Sequence, residues 1–313
     1  MLAEITITPW HWAGFIVCVL IFLALDLGVF HRRAHVVRFR EALAWTTVWF
    51  LLALAFAGAL WRWKNPEHAT EFLTGYLIEL SLSMDNVFVI ALIFGYFRVP
   101  PEFQHRVLFW GILGALIMRG VMIGIGAALV LHFHWVLYVF GAFLVVSGVK
   151  MLLVNEGGVE PENNLVLKLA RRFFPVTRDF EGQKFFTALD GRRALTPLAL
   201  VLLMVETTDL VFALDSIPAI FAVTQKPFIV FTSNVFAILG LRSLYFVLAN
   251  AIEYFRFLKY GLAIVLVFVG GKMLVVKWIH IPTTVSLGVV AGIILLSIAI
   301  SVLLTRHEHR AER

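Results

Sequence analysis

A chain of 313 residues that is 61% hydrophobic and only 15% charged is not an ordinary soluble domain, in which about 25% of residues are charged. Its net charge of +6 does not point to nucleic acid, because the bases fall mostly in loops between apolar runs, where they set orientation. Cys18 is the single cysteine, which excludes an intrachain disulfide and a cysteine metal cluster.

The pattern predicts an all-α polytopic membrane protein. Nine stretches approach the roughly 20 apolar residues that cross a bilayer: 11–30, 43–61, 72–96, 107–130, 135–154, 197–223, 229–250, 257–276 and 284–304. No Lys or Arg precedes the first, and Asp26 interrupts it, so it reads as a span and not as a signal peptide. All nine are too long and too uninterrupted for barrel strands. Between the fifth and sixth lies one sizeable polar segment, 155–196. Gly157, Gly158, Pro161 and Gly182 mark turns there, around one amphipathic piece at Leu165–Phe174. Its Lys168, Arg171 and Arg172 suit anionic lipid headgroups. The chain carries no phosphate-binding loop, nucleophile–base arrangement or metalloprotease motif, so neither an ATPase nor another enzyme is expected.

Loop charges predict the topology. The loops 31–42, 97–106, 155–196 and 251–259, with the tail, hold eighteen Lys and Arg; the opposite loops hold four, Arg62, Lys64, Lys226 and Lys277. The basic side is cytoplasmic by the positive-inside rule, which puts the N-terminus in the periplasm and the C-terminus in the cytoplasm.

Two units of three spans, 72–154 and 197–276, run parallel in sequence. Glu79 and Asp85 answer to Asp209 and Asp215, each pair six residues apart. Arg119 answers to Arg242, Tyr138 to Tyr260, and Lys150 to Lys272. The third and sixth spans cross in opposite directions, so the units form an inverted repeat within a single membrane domain, the plan of many secondary transporters. Both lysines fit side chains that reach for headgroups.

An ionisable group inside a bilayer is costly unless paired, hydrated or bound to a ligand. Six carboxylates fall within the spans: Asp26, Glu79, Asp85, Glu206, Asp209 and Asp215. Asp85, Asn86, Asp215 and Ser216 would offer hard oxygen ligands from equivalent repeat positions, suited to Mg²⁺, Ca²⁺ or Mn²⁺. Glu206 and Asp209, three apart, share a helix face and would extend the site together with Glu79. Met84 and Met204 lie nearby, and Pro218 is placed either to break the sixth span or only to kink it. Ion pairing of Glu79 or Asp209 with Arg119 or Arg242 accounts for some of the acids, but two arginines do not neutralise six. Asp26 is a candidate relay or the partner of a neighbour, and Asn234 and Asn250 suit hydrogen bonds between helices. Gly120 with Gly124, and Gly288 with Gly292, suggest tight helix contact. No oligomeric state follows from these patterns.

The motifs Ser83-Met84-Asp85-Asn86-Val87-Phe88 and Glu206-Thr207-Thr208-Asp209-Leu210-Val211-Phe212-Ala213-Leu214-Asp215-Ser216-Ile217-Pro218 resemble those of the TerC family of bacterial integral membrane proteins, and within it the Alx type. The resemblance covers nearly the whole chain. It implies the bacterial inner membrane, the LysE-like transporter superfamily and manganese efflux, with Mn²⁺ as substrate and a link to alkaline pH. Plant relatives are tied to thylakoid protein assembly, so a metal-loading or assembly factor that does not itself transport is the rival expectation. Exchange of Mn²⁺ for H⁺ is the expected coupling, and the lipid bilayer the expected surroundings.

Overall fold

Proline and polar caps set the starts of the long helices. The computed structural model describes residues 8–25, 39–63, 65–153, 164–189, 191–249, 258–279 and 281–311. Asn65 accepts a hydrogen bond from the Glu67 amide at 3.2 Å and Pro66 follows, so α3 (Pro66–Tyr96) begins at a fixed point. Pro101 opens α4 (Pro101–His132), and Thr196 caps α7 (Pro197–Phe221). Pro227 opens α8 (Pro227–Ala249). The remaining helices are α1 (Pro9–Leu25), α2 (Phe39–Trp63), α5 (Val136–Leu153), α6 (Leu165–Phe173), α9 (Leu258–Val275) and α10 (Thr283–Ala311).

Eight of these ten helices are long and apolar enough to cross a membrane, which makes the protein an all-α polytopic membrane protein. The ninth expected span, 11–30, corresponds to α1, which is 17 residues long within the described residues; its predicted end and Asp26 lie outside them. Asn250 also lies outside the described residues. Of the two readings of Pro218, a break or a kink, the break is not seen: α7 is continuous through it. Proline removes one amide donor there, and the packing around its buried ring holds the remaining turns.

The expected amphipathic piece is α6, capped by Asn164, whose side chain accepts from the Val166 and Leu167 amides. Leu167 is buried against the bundle, while Leu165, Leu169 and Phe173 are exposed. Beyond it a short hairpin, β1 (Phe186–Leu189) and β2 (Arg192–Leu195), pairs antiparallel with Phe186 opposite Leu195. Gly191 at φ +75° supplies the left-handed turn residue.

The bundle is interleaved. α3 packs on α8, α4 on α7 and α5 on α9, while α3 meets α7 and α4 meets α8. α8 is apolar and buried almost all round, as a central helix must be, whereas α4 shows Ile117, Val121 and Ile125 to the outside. One apolar cluster, with Ile90, Ile93, Leu108, Leu167, Leu198 and Leu248, closes the end that carries α6. Another, with Ile123, Val130, Ile217, Phe221 and Val230, closes the far side of α4 and α7.

Among the described residues, α5 and α9 approach backbone to backbone. A Cβ on Gly270 would lie 2.6 Å from the Gly141 carbonyl oxygen, and one on Gly148 would lie 2.7 Å from the Ala263 carbonyl oxygen. This corrects the expectation for the Gly120–Gly124 and Gly288–Gly292 pairs. Gly124, Gly288 and Gly292 have nothing within 4 Å of a built Cβ among the described residues, and Gly120 meets only Phe231 at 3.4 Å.

Candidate functional site

On a helix of 3.6 residues per turn, positions seven apart lie within about 20° of each other, and positions six apart differ by about 120°. That difference decides which polar groups meet. Glu79 and Asn86 are seven apart on α3, as Asp209 and Ser216 are on α7, and all four are buried. Each helix therefore presents an acid and a neutral polar group along one stripe, with the small Ala213 buried between the two on α7. The two stripes face one another where α3 packs on α7, and Asn86 Nδ2 donates to Asp209 Oδ1 at 3.1 Å across that contact.

Arg119 of α4 closes the cluster and is only 2% exposed. Its Nη2 donates to Asp209 Oδ1 at 2.9 Å and its Nε to Asp209 Oδ2 at 3.3 Å, a fork that grips both carboxylate oxygens. Its Nη1 donates to Glu79 Oε1, to Ser216 Oγ at 3.2 Å and to Asn234 Oδ1 of α8 at 3.2 Å. Asn234 is oriented by donating through Nδ2 to the Val230 carbonyl at 3.0 Å. Four spanning helices thus converge on one guanidinium. The ion pairing of Glu79 and Asp209 expected from the sequence is realised in a single residue, and Asn234 makes the expected contact between helices.

The six-residue partners lie elsewhere. Asp85 and Asp215 are half-buried, and Asp215 Oδ1 accepts from Ser147 Oγ of α5 at 2.6 Å. Because neighbours on a helix point about 100° apart, Asp85 cannot share the face of Asn86, nor Asp215 that of Ser216. Asn86 and Ser216 are thereby drawn to the Arg119 cluster, and Asp215 to Ser147. Among the described residues, no group of three or more His, Cys, Asp or Glu side chains is gathered to hold a metal ion. Glu206, half-buried one turn before Asp209, lies against Gly114 of α4, where a Cβ would collide with its carboxylate. Arg242 is buried on α8. Met204 takes the Asn164 Nδ2 contact through its sulfur at 3.3 Å, so its role is at the α6 junction. Lys272 Nζ donates to Ser286 Oγ of α10 at 2.8 Å, and Lys150 is exposed.

The family model for the integral membrane protein TerC family matches residues 64–309, which includes α3, α4, α7 and α8 and every residue of this cluster. The chain belongs to the TerC family. A membrane protein of Myxococcus xanthus is 55% identical over 301 residues, covering 96% of this chain and 94% of that one. A protein of Escherichia coli K12, provisionally named the membrane-bound redox modulator Alx, is 49% identical over 303 residues and 94% of each chain. A Rickettsia bellii membrane protein is 40% identical over 292 residues, 93% of this chain and 97% of its own. No solved structure matches the chain.

In this TerC-family bundle a narrow cavity of about 20 Å³ adjoins the cluster. Asn86, Thr208 and Asp209 give it its polar side; Ile90, Leu108, Val205 and Leu241 are among the residues that make the rest apolar. Most of the lining falls between Asp209 and the bundle end that carries α6, and Phe212 lies one turn beyond Asp209. That volume holds one water or one bare ion. Chemically, two carboxylates, an amide oxygen and hydroxyls form an oxygen-only donor set, which favours hard divalent cations.

Ser83 was not singled out from the sequence. It is buried at the position one turn beyond Glu79 and one turn short of Asn86, and the seven-residue stripe is the signal that finds it.

Proposed function

We propose that this membrane protein is a secondary transporter that exports Mn²⁺ across the bacterial inner membrane. The observation that carries the reading is the pair Glu79 and Asp209, two carboxylates buried mid-helix on two packed spans and compensated by one arginine. A structural ion pair needs one carboxylate for one guanidinium. The second carboxylate has no base of its own within this cluster, an arrangement that suits a visiting cation. Glu79 and Asp209 are then the principal ligands, with Asn86 and Ser216 as neutral oxygens, while Asp85, Asp215 and Glu206 line the path. The choice of manganese rests on the family resemblance.

The α5–α9 contact supports the inverted repeat. The parallels Tyr138 to Tyr260 and Lys150 to Lys272 make Gly141 equivalent to Ala263 and Gly148 to Gly270. Exchange of the two units therefore turns the Gly141–Gly270 contact into the Ala263–Gly148 contact, and both are observed. The packing of α3 on α8 and of α7 on α4 is related in the same way. Units exchanged about such an axis suit alternating access, with the cation site at their interface. Under the loop-charge topology most of the cavity lining lies on the cytoplasmic side of Asp209, where an exporter would load. Export of a divalent ion against an inside-negative potential costs about 4.6 kcal/mol per 100 mV, from about 2.3 kcal/mol per charge, so coupling is required. Protons exchanged on the same carboxylates would supply it.

The rival, an assembly or metal-loading factor, would bind partners through the 155–196 segment and move no ion. Flux of Mn²⁺ through purified protein in sealed vesicles separates the two: native protein that moves no Mn²⁺ under an imposed pH gradient removes the transporter reading.

A further inference from the structure

Arg119 is over-subscribed and its surroundings are short of donors. Its Nη1 carries two hydrogens, yet Glu79, Ser216 and Asn234 all accept from it. Its remaining donors are turned to Asp209. Meanwhile Glu79 Oε2, Ser83 Oγ and Asn86 Oδ1 are buried without a hydrogen-bond partner among the described residues. They stand at 79, 83 and 86, one stripe of α3. Buried polar atoms are nearly always satisfied, so a row of three that are not marks a place where something else supplies positive charge. Two carboxylates and one guanidinium sum to one negative charge.

We propose that Arg119 makes this site select divalent over monovalent cations, acting as a tethered counter-cation that the cargo must displace. The proposal rests on the transporter reading above. Arg119 holds both oxygens of Asp209 and Oε1 of Glu79, so a cation that ligates Asp209 together with that oxygen takes the place of the guanidinium. A monovalent ion taking its place supplies the same single charge and loses the fork's directed hydrogen bonds. A divalent ion brings the two carboxylates to neutrality and satisfies acceptor atoms that Arg119 does not reach. Only the second exchange is favourable. The residue therefore sets a charge threshold by occupying the site, and discrimination arises from the weaker binding of the wrong ion.

The test is Mn²⁺ binding to the purified full-length protein, followed by loss of the free-ion EPR signal, in sodium or in choline chloride at equal ionic strength. The native protein is expected to bind Mn²⁺ equally in both salts. Arg119→Gln is expected to bind about tenfold more tightly than native in choline, because the competitor is gone, and to lose about tenfold in sodium. Arg119→Gln that binds no more tightly than native, or equally in the two salts, overturns the proposal. So does native binding that already falls in sodium. If Arg119→Gln is not monodisperse, Arg119→Lys, which keeps a charge but not the fork, is expected to show a smaller sodium sensitivity, and none would overturn the proposal. Native protein that binds no Mn²⁺ in either salt refutes the transporter reading itself, and is distinguished from the other failures by the behaviour of the native protein alone.

Discussion

Replacing Gly270 by alanine puts a methyl group where α5 and α9 touch backbone to backbone. The new Cβ would lie 2.6 Å from the Gly141 carbonyl oxygen, 2.9 Å from Leu144 Cβ and 3.0 Å from Val145 Cγ2. To reach an ordinary 3.4 Å contact with that oxygen, the helices must part by about 0.8 Å, and a carbonyl inside a helix cannot swing aside. Overpacking of this kind costs about 1–3 kcal/mol, against a helix-propensity gain of up to about 1 kcal/mol for losing a glycine. The neighbour Gly271 supplies the control, because nothing lies within 4 Å of its Cβ position among the described residues. Gly271→Ala should keep only the gain. The two adjacent variants should therefore differ by about 2 kcal/mol, with Gly270→Ala the less stable. Unfolding by SDS in mixed micelles, followed by circular dichroism, measures the difference. Gly148→Ala should resemble Gly270→Ala, since its Cβ would lie 2.7 Å from the Ala263 carbonyl oxygen. Equal stability of Gly270→Ala and Gly271→Ala would refute the close α5–α9 contact and the axis drawn through it.

Other expectations follow from the same geometry. Asp209→Asn removes the charge gripped by the Arg119 fork and leaves Glu79 as the only carboxylate observed on that guanidinium; Mn²⁺ binding measured by EPR should weaken at least about tenfold, and unchanged binding would remove Asp209 from the ligand set. Thr196→Ala deletes the α7 cap, whose Oγ1 accepts from the Ala199 amide at 3.4 Å and donates to the Lys184 carbonyl at 2.6 Å. It should cost about 1 kcal/mol in the same unfolding assay. Gly191→Val forces a β-branched residue into φ +75° and should cost at least about 1–2 kcal/mol of local hairpin stability, visible as faster proteolysis within 186–195.

Much of the scaffold could be read from composition because the bilayer imposes length: runs of apolar residues became helices close to where they were expected, and α6 formed at its amphipathic stretch. The hairpin is less legible: Asp190-Gly191 is a turn signal, but the runs beside it are short and carry Arg192 and Arg193. At the site, the importance of Glu79 and Asp209 was legible from the cost of burying charge. Their companions were not, because a six-residue acidic spacing draws the eye while the helix sets a seven-residue face. Asn86 and Ser216 therefore join the buried cluster, while Asp215 accepts from Ser147 of α5. Nor could the sequence say which arginine serves both acids; that depends on how α4 leans between α3 and α7. The glycine contact was masked for a similar reason: small residues seven apart, Gly141 with Gly148 and Ala263 with Gly270, mark the tight crossing.

The central claim is tested most directly by reconstituting the full-length protein in sealed vesicles that enclose a Mn²⁺-sensitive dye and imposing a pH gradient. The account expects Mn²⁺ flux through the native protein, reduced at least about tenfold in Glu79→Gln and in Asp209→Asn. Native protein that carries no Mn²⁺, or flux that survives both substitutions, would contradict it.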